Sequence, residues 1–217
     1  MTVTNAPDQI WTVRGLDDFS APGWFPVRAD MPTAERAEWV RQAESALATV
    51  VGVERWDGVP TSPDDVRELL GRAFEEEQFM DAAATFQVWP VRGPVAVMCR
   101  VMLLTSDSVP RWERKDGAAL QVIESKHLGV GLQFTPRTRI ESEDGATDIQ
   151  AIDLIFDDGT AAIVLTVEPT FGPVLANVLP GLQTLMDTIW VERPGGSVFA
   201  GVVPGGMADD SWEVETS

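Results

Sequence analysis

The sequence predicts an α+β protein in which helices cover an antiparallel β-sheet meander of about six strands. Helical patterns precede the strand run, near 33–51 and 62–80, and another follows it, near 173–188. From residue 84 the hydrophobic period changes from 3.6 residues to 2, which is typical of strands. The turns between successive strand patterns are short, and short connections favour antiparallel neighbours.

The first 30 residues predict an irregular segment, because they are rich in proline and glycine. The same stretch contains four large aromatic side chains, Trp11, Phe19, Trp24 and Phe25. Side chains of this size are rarely left in solvent. We therefore expect the segment to pack over the domain.

The first two helices are predicted by periodicity and by their starts. In the segment 33–51, apolar residues recur at helical spacing, at Trp39, Ala43, Leu47 and Val50. The second helix has Ser62 as its N-cap and Pro63 at its first position, and it should end near Met80. Each helix thus presents one apolar face to a core.

Six strands are predicted, at about 84–90, 94–104, 118–126, 129–140, 147–157 and 160–168. The second and sixth are apolar on both faces, which indicates a sheet covered on both sides. The fourth alternates: Leu132, Phe134 and Ile140 point one way, while Arg137 and Arg139 point the other.

The C-terminal third predicts helical material near 173–188, interrupted or restarted at Pro180 and Gly181, since an interior proline removes a helix hydrogen bond. The stretch TIWVE predicts a last strand. After Pro194 the sequence becomes rich in glycine, proline and acids, so we expect one domain over 1–193 and a tail over 194–217. This order of elements resembles the PsbP-like α/β sandwiches, a resemblance of fold that carries no functional residue with it.

The formal net charge of −18 argues against nucleic-acid or anionic-membrane binding, because both depend on clustered lysine and arginine. The charge is uneven: net −9 over residues 1–91, +4 over 92–139 and −13 over 140–217. Two interpretations stay open. Either the acids serve solubility, or acidic faces dock a basic partner.

The compartment predicted is the cytoplasm. The start, MTVTNAPDQIWTVRG, lacks the basic region and apolar run of a signal peptide, and the single cysteine cannot form an internal disulfide. Arginine greatly outnumbers lysine and tyrosine is absent, which suggests a high-G+C bacterial genome.

Candidates for catalysis are few. The only histidine, His127, falls where we expect an exposed turn, and Cys99 falls in the middle of a two-sided apolar strand, where burial suppresses the thiolate. The sequence contains neither a Gly-x-Ser-x-Gly elbow nor a phosphate-cradling glycine motif. We therefore expect no cofactor.

Metal binding is not expected either. One cysteine and one histidine cannot complete a structural zinc site. The acidic stretches ESEDGATD and FDDGT lack the ligand spacing of a calcium loop, and they lie at opposite ends of one predicted strand. Each predicts an acidic β-turn.

Residues 111–140 hold six of the sixteen basic residues. If the loops 105–117 and 141–147 share one end of the sheet, Arg111, Arg114 and Lys115 face the acids of the second loop, and Arg137 and Arg139 belong to the same end. The arrangement then balances charge internally. The alternative is an arginine-rich recognition patch.

The acidic tail supplies one more candidate contact, Trp212, which is either part of a disordered segment or an apolar anchor for a partner. Together these observations predict a non-catalytic cytoplasmic protein that acts through protein–protein contacts, as an adaptor, chaperone or regulator. Two alternatives stay open, an immunity or antitoxin-like protein that neutralises a basic partner and an enzyme that uses carboxylates alone. A homo-oligomer is compatible with each.

Overall fold

The computed structural model describes residues 2–4, 10–28, 30–51, 63–76, 82–90, 94–109, 119–142, 145–202 and 215–216. Its helices are α1 (Thr33–Val51), α2 (Pro63–Glu76) and α3 (Gly172–Thr188). The first two predicted helices are confirmed, although Ser62 and residues 77–80 lie outside the described residues. In the described part of the chain, no helix combines the length and apolar character that a bilayer crossing needs.

Short and long strands make up most of the remaining structure. In chain order they are β1 (Thr2–Thr4), β2 (Ile10–Arg14), β3 (Trp24–Val27), β4 (Ala84–Val88), β5 (Val97–Thr105), β6 (Ala119–Ser125), β7 (Gly129–Thr135), β8 (Arg137–Ser142), β9 (Gly145–Asp157), β10 (Ala161–Phe171), β11 (Trp190–Glu192) and β12 (Glu215–Thr216). The irregular reading of residues 1–30 was wrong, because β1, β2 and β3 lie there. The packing expected of this segment is confirmed by the burial of Trp11 and Trp24.

The main sheet has the order β12-β6-β7-β9-β10-β5-β4-β3, with β8 paired to β9, and β1-β2-β11 form a smaller sheet. The predicted α+β class with a mostly antiparallel sheet is confirmed. Its strands form two meanders, β3-β4-β5 and β6-β7-β9-β10, which join where β10 pairs with β5. β5 and β6 run in the same direction without being neighbours.

Helices cover both faces of this sheet, as the apolar character of β5 and β10 predicts. On one face, the buried side of α3 packs against β5, β9 and β10 in the largest core cluster. On the other, α1 and α2 pack over β3, β4 and the start of β5. TIWVE forms the predicted last strand as β11.

The predicted fourth strand is one ladder broken at Pro136. β7 and β8 keep the same register against β9, with Phe134 opposite Asp153 and Arg137 opposite Gln150, and the carbonyl of Pro136 accepts a hydrogen bond from Ala151 N. Beyond Pro136, β8 and the first half of β9 form a two-stranded arm with exposed side chains over 137–141 and 145–148. The alternation of faces therefore continues through the break.

The predicted interruption of α3 was wrong, since the helix continues through Pro180. Its apolar face is buried along its whole length, at Val174, Leu175, Val178, Gly181, Leu182, Leu185 and Met186. In proteins, tertiary packing of this kind stabilises a helix more than propensity does. The packing therefore outweighs the roughly 3 kcal/mol that an interior proline costs.

The loops 105–117 and 141–147 were predicted to lie at the same end of the sheet. For the start of the first loop this prediction was wrong. Thr105 pairs with Ala161, and Ser106 N donates to Thr160 O, so the loop begins beside the β9–β10 turn. The β8–β9 turn lies at the other end of the thirteen-residue β9. The separation of the two acidic turns by the length of one strand is confirmed.

Residues following β11 return to the core. Phe199 is almost fully buried, and Gly201 N donates to Leu128 O. A Cβ on Gly201 would approach the Val130 carbonyl oxygen to 2.6 Å, so only glycine fits this close backbone contact. Val202 N donates to Asp157 O. The segment 199–202 therefore contacts the main sheet and its core.

Candidate functional site

A cleft of about 730 Å³ opens beside β3 and β4. Its walls come from three places in the sequence: a turn of 3-10 helix at Leu16–Asp18, strand β3, and the approach to β4 at Ala82–Ala84. Cavities of this size, apolar with a few polar groups, are the usual form of a binding site. This cleft is the candidate functional site.

Three aromatic rings form the apolar wall of the cleft. The ring centroids of Phe19 and Trp24 are 5.3 Å apart, those of Phe19 and Phe86 5.1 Å, and those of Trp24 and Phe86 5.8 Å. All three pairs meet edge to face, the arrangement that the ring quadrupole favours. The three rings therefore support one another in the wall.

Two glycines allow Trp24 to reach this position. Gly23 precedes it in the left-handed region, with φ +76°, which supplies the turn into β3. Gly181 lies under the indole, where a Cβ would overlap Nε1 of Trp24. Pro180-Gly181, which reads as a helix break in the sequence, is thus the place where α3 accommodates the cleft wall.

Charged side chains stand at the rim. Arg28 donates to both carboxylate oxygens of Asp30, at 3.1 and 3.2 Å, and Asp17 lines the cleft nearby as an exposed carboxylate. Hydrogen bonding and the charge of Arg28 hold the pKa of Asp30 below its usual range. Two carboxylates against one guanidinium leave this rim net acidic.

A row of polar side chains crosses the sheet on the face covered by α1 and α2. Strand register places Asp153, Thr166, Arg100 and Thr85 opposite one another on four neighbouring strands. Burial raises the pKa of Asp153, and a hydrogen bond with Thr166 opposes that shift. Asp153 lies on β9, three strands from the cleft, so it belongs to a separate feature of the molecule.

An enzyme that uses carboxylates alone requires a second acid beside one whose pKa is shifted. On β10, the carboxylate of Glu168 accepts a hydrogen bond from Met98 N at 2.7 Å, which ties it to the backbone of β5. In the described part of the chain, no three histidine, cysteine, aspartate or glutamate side chains converge as a metal site would require.

Two of the predicted contact residues lie on the exposed arm. Arg139 Nε is 3.1 Å from a carboxylate oxygen of Glu141 on its own strand. Arg137 faces Gln150, whose amide oxygen, turned toward β8, accepts from Nη2 at 2.7 Å and from Nε at 3.0 Å. The arm brings these two arginines together on one face, away from the cleft.

The other predicted contact residues, Arg111, Arg114, Lys115 and Trp212, lie outside the described residues. The same holds for Glu143 and Asp144, two of the three acids expected to balance the basic loop. The partner of Arg139 that the structure does describe, Glu141, is the third of those acids. The internal-balance interpretation therefore stays a prediction for the loop.

Cys99 occupies the buried strand position that the sequence predicts, whereas His127 lies in the predicted turn but is half-buried rather than exposed. His127 lies half-buried in the turn between β6 and β7, where its backbone N–H donates to Ser125 Oγ at 3.3 Å. Cys99 is fully buried on β5, and burial raises the pKa of its thiol. Such a thiol is a packing group rather than a nucleophile.

The acidic turn between β9 and β10 is held by hydrogen bonds. Asp157 accepts from Ser106 Oγ at 2.5 Å and from Gly159 N at 2.8 Å. Asp158 accepts from two backbone N–H groups of the turn and forms an ion pair with Arg193, whose guanidinium lies over the ring of Trp11 at 5.1 Å. This turn works as a structural junction between the two sheets.

Comparison with known proteins finds no matching family model, no matching curated protein and no matching solved structure. Sequence reasoning missed the cleft because its walls are about 60 residues apart in the chain and meet only through the pairing of β3 with β4. The available signal was the density of aromatic residues within 19–25.

Proposed function

We propose that the protein is non-catalytic and acts through protein–protein contact, taking an apolar segment of a basic partner into the cleft beside β3. The observation that carries this proposal is the cleft itself, an aromatic wall with a net acidic rim. A role as adaptor, chaperone or regulator in the cytoplasm is consistent with it.

The cleft suits an apolar anchor. Phe19 is only partly buried beside Trp24 and Phe86, so an aliphatic or aromatic side chain entering the cleft would pack against preformed ring edges. Anchors of this kind supply most of the binding energy at protein interfaces. Because Trp24 and Phe86 are already buried in the core, these two rings need little ordering on binding.

Charge selects the partner. Asp17 and Asp30 stand at the rim against Arg28, and the whole chain carries −18. A segment in which lysine or arginine flanks the apolar anchor would be drawn to this surface, and its association would weaken as salt screens the rim. The immunity or antitoxin-like alternative uses the same surface and differs in requiring one tight basic partner.

A photocrosslinking residue at position 17 tests the proposal in cells of the source organism. We expect position 17 to capture a basic protein, whereas the same residue at Asp107, an exposed acid of equal charge beside the β9–β10 turn, should not. A second variant, Asp17→Arg, should weaken binding of the captured protein, and Asp107→Arg should not. Identical capture at the two positions would overturn the proposal.

A further inference from the structure

The exposed arm leaves one strand with a free edge. β8 pairs with β9 on one side, and among the described residues no strand pairs with its other side. Its side chains from Arg137 to Glu141 are exposed, including Ile140 at 46%. Unpaired backbone groups beside an exposed β-branched residue form a template for another strand.

The sequence of β8 is complementary to itself when it is reversed. Basic residues precede Ile140 and acidic residues follow it: Arg139 and Glu141 stand one residue to either side, and Thr138 and Ser142 stand two. The printed sequence continues the pattern, with Arg137 and Glu143 three residues to either side. An antiparallel pair of identical strands centred on Ile140 would therefore oppose unlike charges throughout.

We propose that β8 pairs with β8 of a second copy of this chain, antiparallel and centred on Ile140, so that the two main sheets become continuous. Ile140 then meets Ile140 of the second copy, and each Arg139 meets a Glu141 of the other chain. The arrangement has a two-fold axis and uses the same patch on both copies, which is the commonest form of homodimer. The surface is distinct from the cleft.

The order of charges along β8 favours this register over the neighbouring registers. Because a two-fold axis perpendicular to the sheet keeps each side chain on its own face, opposed residues must lie on the same face of the strand. Centring on Thr138 opposes Arg137 to Arg139, and centring on Arg139 opposes that residue to itself. Like charges directly opposite one another destabilise a sheet, whereas unlike charges stabilise it. Ile140 is the centre that avoids both clashes.

The side chains on each face fit the pairing. Arg139 and Glu141 already lie 3.1 Å apart on one face of β8, so two copies would form a four-membered cluster of alternating charge. On the opposite face Ile140 shares the surface with Ile149 and with Phe171, which is 51% exposed. Six residues per strand bury a small area, so we expect a reversible dimer with a Kd of roughly 10–500 µM.

Sedimentation velocity of the full chain, from about 5 µM to about 1 mM, tests the pairing through charge reversal. We expect the wild type to dimerise with concentration. Arg139→Glu opposes Glu to Glu and Glu141→Arg opposes Arg to Arg, so each single variant should raise Kd at least about 10-fold. Glu124→Arg is the control. It makes the same change of charge as Glu141→Arg, at an exposed residue of β6, and should leave Kd unchanged.

Restoring the charges should restore the dimer in two ways. The double variant Arg139→Glu/Glu141→Arg is again complementary to itself. An equimolar mixture of the two single variants should form a heterodimer more tightly than either variant dimerises alone. A wild type that stays monomeric, a dimer that survives both single changes, or a mixture that fails to associate would each overturn the proposal.

A glutamate at position 139 would also face Asp148 on β9, so the variant Arg139→Glu could fold poorly. Hydrogen exchange on the unmodified protein tests the pairing without any substitution. The amides of 137–142 should exchange more slowly at the high concentration than at the low one, while those of β3 should not change. Equal exchange of 137–142 at both concentrations would contradict the pairing without any substitution.

Discussion

β3 and β8 each have one side without a strand partner among the described residues, and they treat that side differently. In β3 three outward backbone groups are already used or missing: Trp24 N donates to Ala21 O, Pro26 has no N–H, and Pro26 O accepts from Trp39 Nε1 at 2.8 Å. Along the unpaired edge of β8, charged side chains lie on one face of the strand and Ile140 lies on the other. One edge is closed to further strands and the other is open.

The difference indicates where this protein admits a strand and where it admits a side chain. Beside the closed edge lies the cleft, in whose aromatic wall Phe19 is partly exposed while Trp24 and Phe86 are buried. Beside the open edge the arm presents a backbone ladder. The proposed partner segment at the cleft would therefore bind through its side chains, whereas the proposed second copy at β8 would bind through its main chain.

The largest effect is expected from removing the anchor of the closed edge. Trp24→Ala deletes an indole that is 8% exposed and packs on Phe19, Phe86 and Gly181. We expect the free energy of unfolding to fall by about 3–5 kcal/mol. Urea denaturation measures this loss. Trp190→Ala, at a tryptophan that is 42% exposed, is the matched control and should cost less than half as much.

Opening the closed edge would break the comparison directly. Pro26→Val together with Trp39→Phe supplies an outward N–H and frees the outward carbonyl, so β3 becomes able to pair. We expect a loss of about 1–2 kcal/mol in the free energy of unfolding and new association at the β3 edge, detected by sedimentation. Trp39→Phe alone should lose stability without associating, because Pro26 still lacks a donor. Association by that single variant would contradict the role assigned to Pro26.

The buried middle of the sheet should respond to pH where the exposed arm does not. Because the pKa of Asp153 is raised above its ordinary value of 3.8, the folded protein keeps this proton to higher pH than the unfolded chain. The residue's contribution to the free energy of unfolding therefore falls as pH rises through that interval. Asp153→Asn should gain stability relative to the wild type as pH rises above 3.8, measured by urea denaturation. Asp148→Asn on the arm is the control, and an equal gain there would exclude burial as the cause.

The smallest change in stability is expected on the arm. Arg137→Gln with Arg139→Gln removes two exposed cations, and exposed pairs such as Arg139–Glu141 contribute about 0–1 kcal/mol each. The melting temperature should move by only a few degrees, while the affinity of the β8 pairing should fall. A large loss of stability would show that these side chains support the fold rather than a contact.

Local patterns predicted the parts of this fold whose causes are local. The helix 33–51 was found with its observed bounds because its stripe of Ala43, Leu47 and neighbouring apolar residues is written at helical spacing. The alternation of β7 and β8 survived Pro136 because the ladder to β9 keeps its register across the break. Where neighbours in sequence determine the structure, the pattern was sufficient.

What sequence reasoning missed depends on distant contacts. β3 contains Pro26 and follows a glycine, so its composition indicates a turn, and only pairing with β4 makes it a strand. The proline in α3 indicates a break, and only the sheet beneath the helix overrides it. The cleft was missed for both reasons, because β3 forms one of its walls and α3 packs under Trp24 at Pro180-Gly181. By contrast, the order of charges around Ile140 was readable in the sequence, although its meaning depended on β8 having a free side.

The insertion of β10 between β5 and β9 has a consequence for synthesis of the chain. β5 is apolar on both faces, and its second neighbour, β10, ends about 60 residues later in the chain. At ribosomal rates of about 5–20 residues per second, one edge of β5 therefore stays unpaired for roughly 3–12 s. During that interval the nascent protein exposes an apolar strand edge that β10 covers in the folded molecule. Growth temperature and chaperone supply should therefore control the yield of soluble protein more than the stability of the folded state does.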